Sequence, residues 1–179
     1  MDRSWKTIKS ECLVDTPWVR FYKADCILPN GKGLKGFYWE HRPECAIIVA
    51  VTTDRKILMT WQYRHGIKKV IPDLPGGNVK SGEDILAAAK RELQEETGYT
   101  SDRWEKLFDI PAGGAEQDRY IHAYLALDCK KVQEQHLDAT EDVVYKEISL
   151  DDALKIADEG QTHGFCVAAL YKAFRRLGI

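Results

Sequence analysis

Gly77-Asn-Val-Lys-Ser-Gly-Glu83-Asp-Ile-Leu-Ala-Ala-Ala-Lys-Arg91-Glu92-Leu-Gln-Glu95-Glu96-Thr-Gly98-Tyr99 is the stretch on which the reading of this chain turns. Its approach, residues 71–82, reads IPDLPGGNVKSG and carries two prolines and three glycines, which predicts an irregular loop. A helix then begins abruptly. Ser81 is a good N-cap with Asp84 three positions on, Glu83 and Asp84 sit where the helix dipole favours acids, and Gly98 suits a left-handed stop. The expected helix spans about residues 83 to 97. At about 100° per residue, Glu92, Glu95 and Glu96 share one edge, while Leu86, Ala89 and Leu93 form a separate apolar stripe for the core. Like charges at these spacings repel by a few tenths of a kcal/mol per pair, so a cation is expected among them.

The Gly76-Gly77 pair lacks side chains where a main chain must turn sharply or approach a ligand closely, and the loop delivers its carbonyls beside the first turns of the helix. Carboxylate oxygens and a backbone carbonyl are hard ligands, suited to Mg²⁺ or Mn²⁺ rather than zinc. Mg²⁺ keeps waters and shares the phosphate oxygens of a substrate. A solvated acidic helix face is the bland alternative for a Glu-rich helix.

Outward from this centre the chain reads as strands. Trp18-Val-Arg-Phe-Tyr, the turn Pro29-Asn-Gly-Lys-Gly and Gly36-Phe-Tyr-Trp-Glu predict a small antiparallel lead-in over residues 1–44 rather than an independent domain. The main domain is expected over 45–179. There, Ala46-Ile-Ile-Val-Ala-Val predicts a strand buried on both faces, joined by a tight turn to Lys56 through Arg64. Tyr120 to Leu127 and Asp142 to Ile148 read as further strands. Ser149 caps a short helix, Leu150 to Glu159, closed by Gly160, and residues from Phe165 onward show helical spacing. The order predicts an α+β fold, a mixed β-sheet with helices packed on its faces.

The chain has 179 residues, enough for one sizeable core, and 26 Lys+Arg against 28 Asp+Glu give a formal net charge of -2. No global positive field exists to hold nucleic acid or an anionic membrane. No run approaches the roughly 18 apolar residues of a membrane helix, and the polar start MDRSWKTIKSEC has no signal-peptide core, so a cytoplasmic protein is expected. Five scattered cysteines, with no CxxC, and no closely spaced His pair argue against a disulfide framework and structural zinc. Glu83-Asp84 stand where a P-loop requires Lys and Ser/Thr, and the loop lacks the spaced acids of an EF-hand.

Gly77, Glu83, Arg91-Glu92-Leu93, Glu95-Glu96 and Gly98-Tyr99 resemble the Nudix box, the signature of Nudix hydrolases, with Tyr99 where the pattern usually has an aliphatic residue. Gln62-Tyr63-Arg64, Leu74-Pro75-Gly76-Gly77, the Pro29-Asn30-Gly31 turn and the acidic-then-helical C-terminal segment resemble the ADP-ribose pyrophosphatase branch. Asp73 departs from the Glu common there, and Gly76 from Ala.

The resemblance implies a Nudix fold, with helices on both faces of the mixed sheet (α/β/α), and a homodimer whose N-terminal strands cross, so that residues 1–44 form an arm for dimerisation or substrate contact. It also implies Mg²⁺, or Mn²⁺, held by Glu92 and Glu96, by Glu95 directly or through water, and by the Gly76 carbonyl. Arg91 would hold these carboxylates in place, with Glu83 as its supporting partner. The general base is expected on Gly113–Asp118, with Glu116 as candidate and Asp118 as rival. Arg64 is a candidate contact for a terminal phosphate or ribose. An aromatic among Trp18, Phe21, Tyr22 and Trp39 is expected to stack on the base. The implied substrate is a nucleoside diphosphate sugar, ADP-ribose first, cleaved to AMP and ribose 5-phosphate. GDP-mannose, another nucleotide sugar or a dinucleotide are the alternatives, as is a non-catalytic ADP-ribose sensor.

Overall fold

A computed structural model of the chain describes residues 2–179. It contains two compact units. One comprises the segment up to Glu44 together with Pro111–Tyr120, the other Cys45–Ile110 with Ile121–Ile179.

The first unit is an antiparallel sheet of β1 (Lys6–Asp15), β2 (Arg20–Ile27) and β3 (Gly33–His41), in the order β1-β2-β3. Side chains alternate across it, as the pleat requires. Tyr22 and Trp39 are opposed in register and stack with ring centroids 4.4 Å apart, and Trp5 meets Phe37 edge-on at 5.3 Å. The opposite face is charged, lined by Lys9, Glu11, Lys23, Asp25 and Lys35 beside Tyr38. Every residue of β1 is exposed.

The second unit is built on β4 (Cys45–Thr52), β5 (Ile57–Arg64), β6 (Lys69–Asp73), β7 (Gly76–Asn78), β8 (Tyr99–Thr100), β9 (Arg103–Pro111), β10 (Tyr120–Lys131) and β11 (Val143–Ile148). The main path runs β11-β5-β4-β10-β8. β10 lies parallel to β4, whereas β5 and β7 pair with β4 antiparallel, so the sheet is mixed. Three helices accompany it: α1 (Ile85–Thr97), α2 (Leu150–Asp158) and α3 (Gly164–Leu177).

The apolar run Ala46–Val51 is buried on both faces. Ala46, Ile48 and Ala50 pack with Ala89 and Leu93 of α1, and Leu86 adjoins that cluster. The alternate residues Ile47, Val49 and Val51 are also buried. They point to the other face, and α3 packs on β4. The result is the α+β arrangement expected, helices against a mixed sheet.

Three local expectations are corrected. Asp84, not Ser81, caps α1, its carboxylate accepting from the Ala87 N–H at 2.9 Å, so the helix begins at Ile85. Ser81 falls in the preceding turn, where Gly82 takes φ +77°. Residues 71–82 are not wholly irregular, because β6 ends at Asp73 and Gly76–Asn78 form a short strand on β4. β1, β8 and β9, which hydropathy patterning did not mark, are also present. Gly98 does end α1 in the left-handed region, at φ +76°.

Candidate active site

Both glycines lie in close approach to neighbouring atoms. A Cβ on Gly76 would lie 2.3 Å from the Ala46 carbonyl oxygen, and one on Gly77 2.5 Å from Cδ of Glu92. The β4–β7 pairing thus presses the loop onto the sheet on one side and onto α1 on the other. The Gly76 N–H donates to Oε2 of Glu96 at 2.8 Å, and the Ile48 N–H donates to the Pro75 carbonyl at 2.9 Å.

Arg91 is the cation that the acidic edge demands. Its Nε and Nη2 donate to the two carboxylate oxygens of Glu83 at 2.8 and 3.0 Å, a two-pronged pairing. Its Nη1 donates to Glu92 at 2.7 Å and to Glu95 at 2.9 Å. Hydrogen bonding to Arg91 holds the Glu83 carboxyl down at about 2, and the same bond raises the guanidinium. Glu92 moves the opposite way, raised by burial despite Arg91. Burial pushes Glu96 further, to about 8, against the help of the Gly76 N–H.

Glu141 is a carboxylate that the sequence reading passed over, and its negative charge contributes to the rise at both Glu92 and Glu96. The segment before β11 is stitched to the end of α1. Gln135 Nε2 donates to the Glu96 and Val143 carbonyls, the His136 N–H donates to the Glu95 carbonyl, and a Cβ on Gly98 would strike the Gln133 carbonyl. No periodicity marks an irregular segment of this kind, so only the spacing of its acids offered a signal.

The remaining candidates belong to other elements. Arg64, at the end of β5, donates to the buried Asp73 at 2.5 Å. Glu116 and Asp118 belong to the unit that contains the N-terminal sheet. The Glu116 side chain is exposed while its carbonyl accepts from the Glu40 N–H, and Asp118 pairs with Nδ1 of His41 at 2.7 Å.

The donors around α1, carboxylate oxygens and backbone carbonyls, are of the hard type that Mg²⁺ or Mn²⁺ takes. Among the described residues, no three His, Cys, Asp or Glu side chains are grouped so as to hold a metal ion, and Arg91 engages Glu92 and Glu95. One guanidinium nevertheless serves three carboxylates, and Glu92 and Glu96 are desolvated beside further acids. Positive charge in excess of Arg91 is what such a cluster accommodates.

The NUDIX domain family matches residues 41–167, spanning the helix, its glycine loop and the sheet beneath. The chain belongs to the Nudix family. This Nudix hydrolase is 33% identical over 159 residues to an ADP-ribose pyrophosphatase of Bacillus subtilis (strain 168), covering 88% of this chain and 85% of that one. It is 37% identical over 155 residues to a methanol dehydrogenase activator of Bacillus methanolicus, covering 86% and 83%. A solved ADP compounds hydrolase superposes with a TM-score of 0.83 at 18% identity, covering 98% of this chain and 95% of that one, and shows the same fold. No helix among the described residues is long and apolar enough to cross a membrane.

Proposed function

We propose that this Nudix hydrolase is a Mg²⁺-dependent pyrophosphatase, with Mn²⁺ as an alternative ion, that cleaves a nucleoside diphosphate sugar, ADP-ribose foremost, to AMP and ribose 5-phosphate. The observation that carries the reading is the Arg91 fork across Glu83, Glu92 and Glu95 beside the buried Glu96 and the side-chain-free Gly76-Gly77. Glu92, Glu96, Glu95 and the Gly76 carbonyl would hold the divalent ions. When bound, such ions supply an acidified water and neutralise charge on the diphosphate oxygens.

The chain's own groups account for the rest. Arg91 fixes the carboxylates so that little reorganisation accompanies reaction. Arg64 contacts a phosphate or the terminal ribose. A carboxylate takes the proton of the attacking water as the new P–O bond forms and the anhydride P–O bond breaks. For that base we retain Glu116 over Asp118, because Asp118 is engaged by His41. Glu141 is the second reading, favoured by its charge beside Glu92 and Glu96. Glu116→Gln and Glu141→Gln separate them, since only the variant lacking the base should lose kcat while still binding nucleotide.

ADP-ribose, GDP-mannose and a dinucleotide incubated with the protein and Mg²⁺ test the substrate. AMP released from ADP-ribose supports the proposal, GMP release from GDP-mannose reassigns it, and no turnover of any member sinks the enzyme reading in favour of a sensor. Glu96→Gln should collapse hydrolysis while the protein stays folded.

The proposal includes a cytoplasmic homodimer joined through the N-terminal sheet. Supporting it, Trp5, Ile8, Leu13 and Val14 of that segment are 47, 57, 44 and 46% exposed, and β1 leaves a long unpaired edge. Light scattering on the full chain and on a Trp5→Ser/Ile8→Ser/Val14→Ser variant reads the mass directly.

A further inference from the structure

The Asp73 carboxylate is buried and gathers groups from β5, from the start of α3 and from the residue that follows Asp73. Its Oδ1 accepts the Leu74 N–H and the Cys166 thiol, each at 2.9 Å. Its Oδ2 accepts Nη2 of Arg64 at 2.5 Å and stands 3.5 Å from Nε2 of His163. His163 is the N-cap of α3 and Cys166 lies in its first turn. Burial drives the Cys166 thiol well above its ordinary value, so it remains protonated and donates.

A buried carboxylate is tolerated only when its lone pairs are satisfied, and here both oxygens are. The arrangement spends this satisfaction on Arg64. Fixing an arginine side chain costs rotamer entropy, which a substrate would otherwise have to overcome on binding. Asp73 takes one end of the guanidinium, while Nε is buried without a hydrogen-bond partner and 38% of the side chain is accessible. The same carboxylate starts the run whose Pro75 and Gly76 clasp Ile48 and Glu96.

We propose that Asp73, braced from behind by Cys166 and His163 of α3, is a positioning residue that pre-orients the Arg64 guanidinium for the substrate's diphosphate group. The proposal rests on the pyrophosphatase reading of the neighbouring carboxylates.

The test is a cycle of Asp73→Asn, Arg64→Ala and the double variant, assayed for ADP-ribose hydrolysis with Mg²⁺. Calorimetric binding of ADP, which needs no turnover, runs in parallel. Each single variant should raise KM by about tenfold or more with kcat little changed, the scale of one charge-assisted hydrogen bond, and the double variant should be no worse than Arg64→Ala. ADP affinity should fall in the same pattern. Additive losses, or an Asp73→Asn variant that loses thermal stability and kcat while keeping KM, would overturn the proposal by making Asp73 merely structural. If Asp73→Asn fails to fold, Asp73→Glu, which keeps the charge, should restore both folding and wild-type KM, and folded Asp73→Glu with the KM of Arg64→Ala would also overturn it. A wild-type protein that binds ADP with this pattern yet cleaves no nucleotide sugar leaves the positioning role standing and removes the substrate assignment alone.

Discussion

A Cβ on Gly77 would sit 2.5 Å from Cδ of Glu92, so the loop backbone and the helix carboxylate are in contact with no room for a methyl group between them. At Gly76 the same addition meets backbone, the Ala46 carbonyl oxygen and the Ile47 Cα. The two glycines therefore guard different things.

Gly77→Ala can be accommodated by swinging the end of the Glu92 side chain, so the melting temperature should move little. On the proposed function, hydrolysis should fall by about a hundredfold, because a carboxylate displaced by an ångström would no longer be placed to hold the ion. Gly76→Ala should instead lower the melting temperature markedly, since two strands must separate. Thermal melts paired with kcat/KM distinguish the outcomes, and a Gly77→Ala enzyme of wild-type activity contradicts the packing argument.

Removing Arg91 leaves three acids repelling one another. Arg91→Ala should cost about 1–3 kcal/mol in denaturant titration, with Mg²⁺ recovering part of the loss by neutralising the same cluster. Arg91→Lys keeps the charge but not the fork, and should fall between the two in stability while losing most activity.

The Glu83 carboxyl is held at about 2 by Arg91, below its ordinary value of 4.5. A depressed carboxyl stabilises the fold above its unfolded value, and that stability disappears as pH falls from about 4.5 toward 2. Glu83→Gln should flatten this acid limb in a plot of melting temperature against pH. Glu96 acts with the opposite sign. Raised to about 8, it contributes stability that is complete below 4.5 and lost as pH climbs through the folded value. The metal-free protein should soften over that interval, and Mg²⁺ should stabilise it more at the upper end than the lower.

Tyr99 occupies an aliphatic position of the box, and its hydroxyl donates to Glu147 at 2.5 Å with the ring edge-on to Tyr145. Tyr99→Phe should cost about 1 kcal/mol without altering kcat, because the partner carboxylate lies at the surface. A large loss of activity would show that the packing beneath α1 reaches the chemistry.

The box was legible because its signals are local. Gly98 stops the helix, Leu93 and Ala89 face the core, and the acids recur at helical spacing within one short segment. The true helix start was harder to see, since Ser81 and Asp84 both cap well and only the Gly82 turn favours the latter. β1 escaped notice because all its residues are exposed, so it lacks the alternation that burial imposes. The Asp73 cluster was invisible for another reason: Cys166 is 93 positions away in sequence, and such partners become neighbours only when β6 and α3 pack.

The parallel pairing of β4 with β10 brings a delay. Cys45 meets Ile121 across that ladder, and the helix over the far face of β4 is formed by Gly164–Leu177. A nascent chain leaving the ribosome therefore carries the apolar run Ala46–Val51 uncovered on that face until residues 164–177 have been synthesised. During this interval the polypeptide is most dependent on holdase chaperones, and slow synthesis lengthens the exposure.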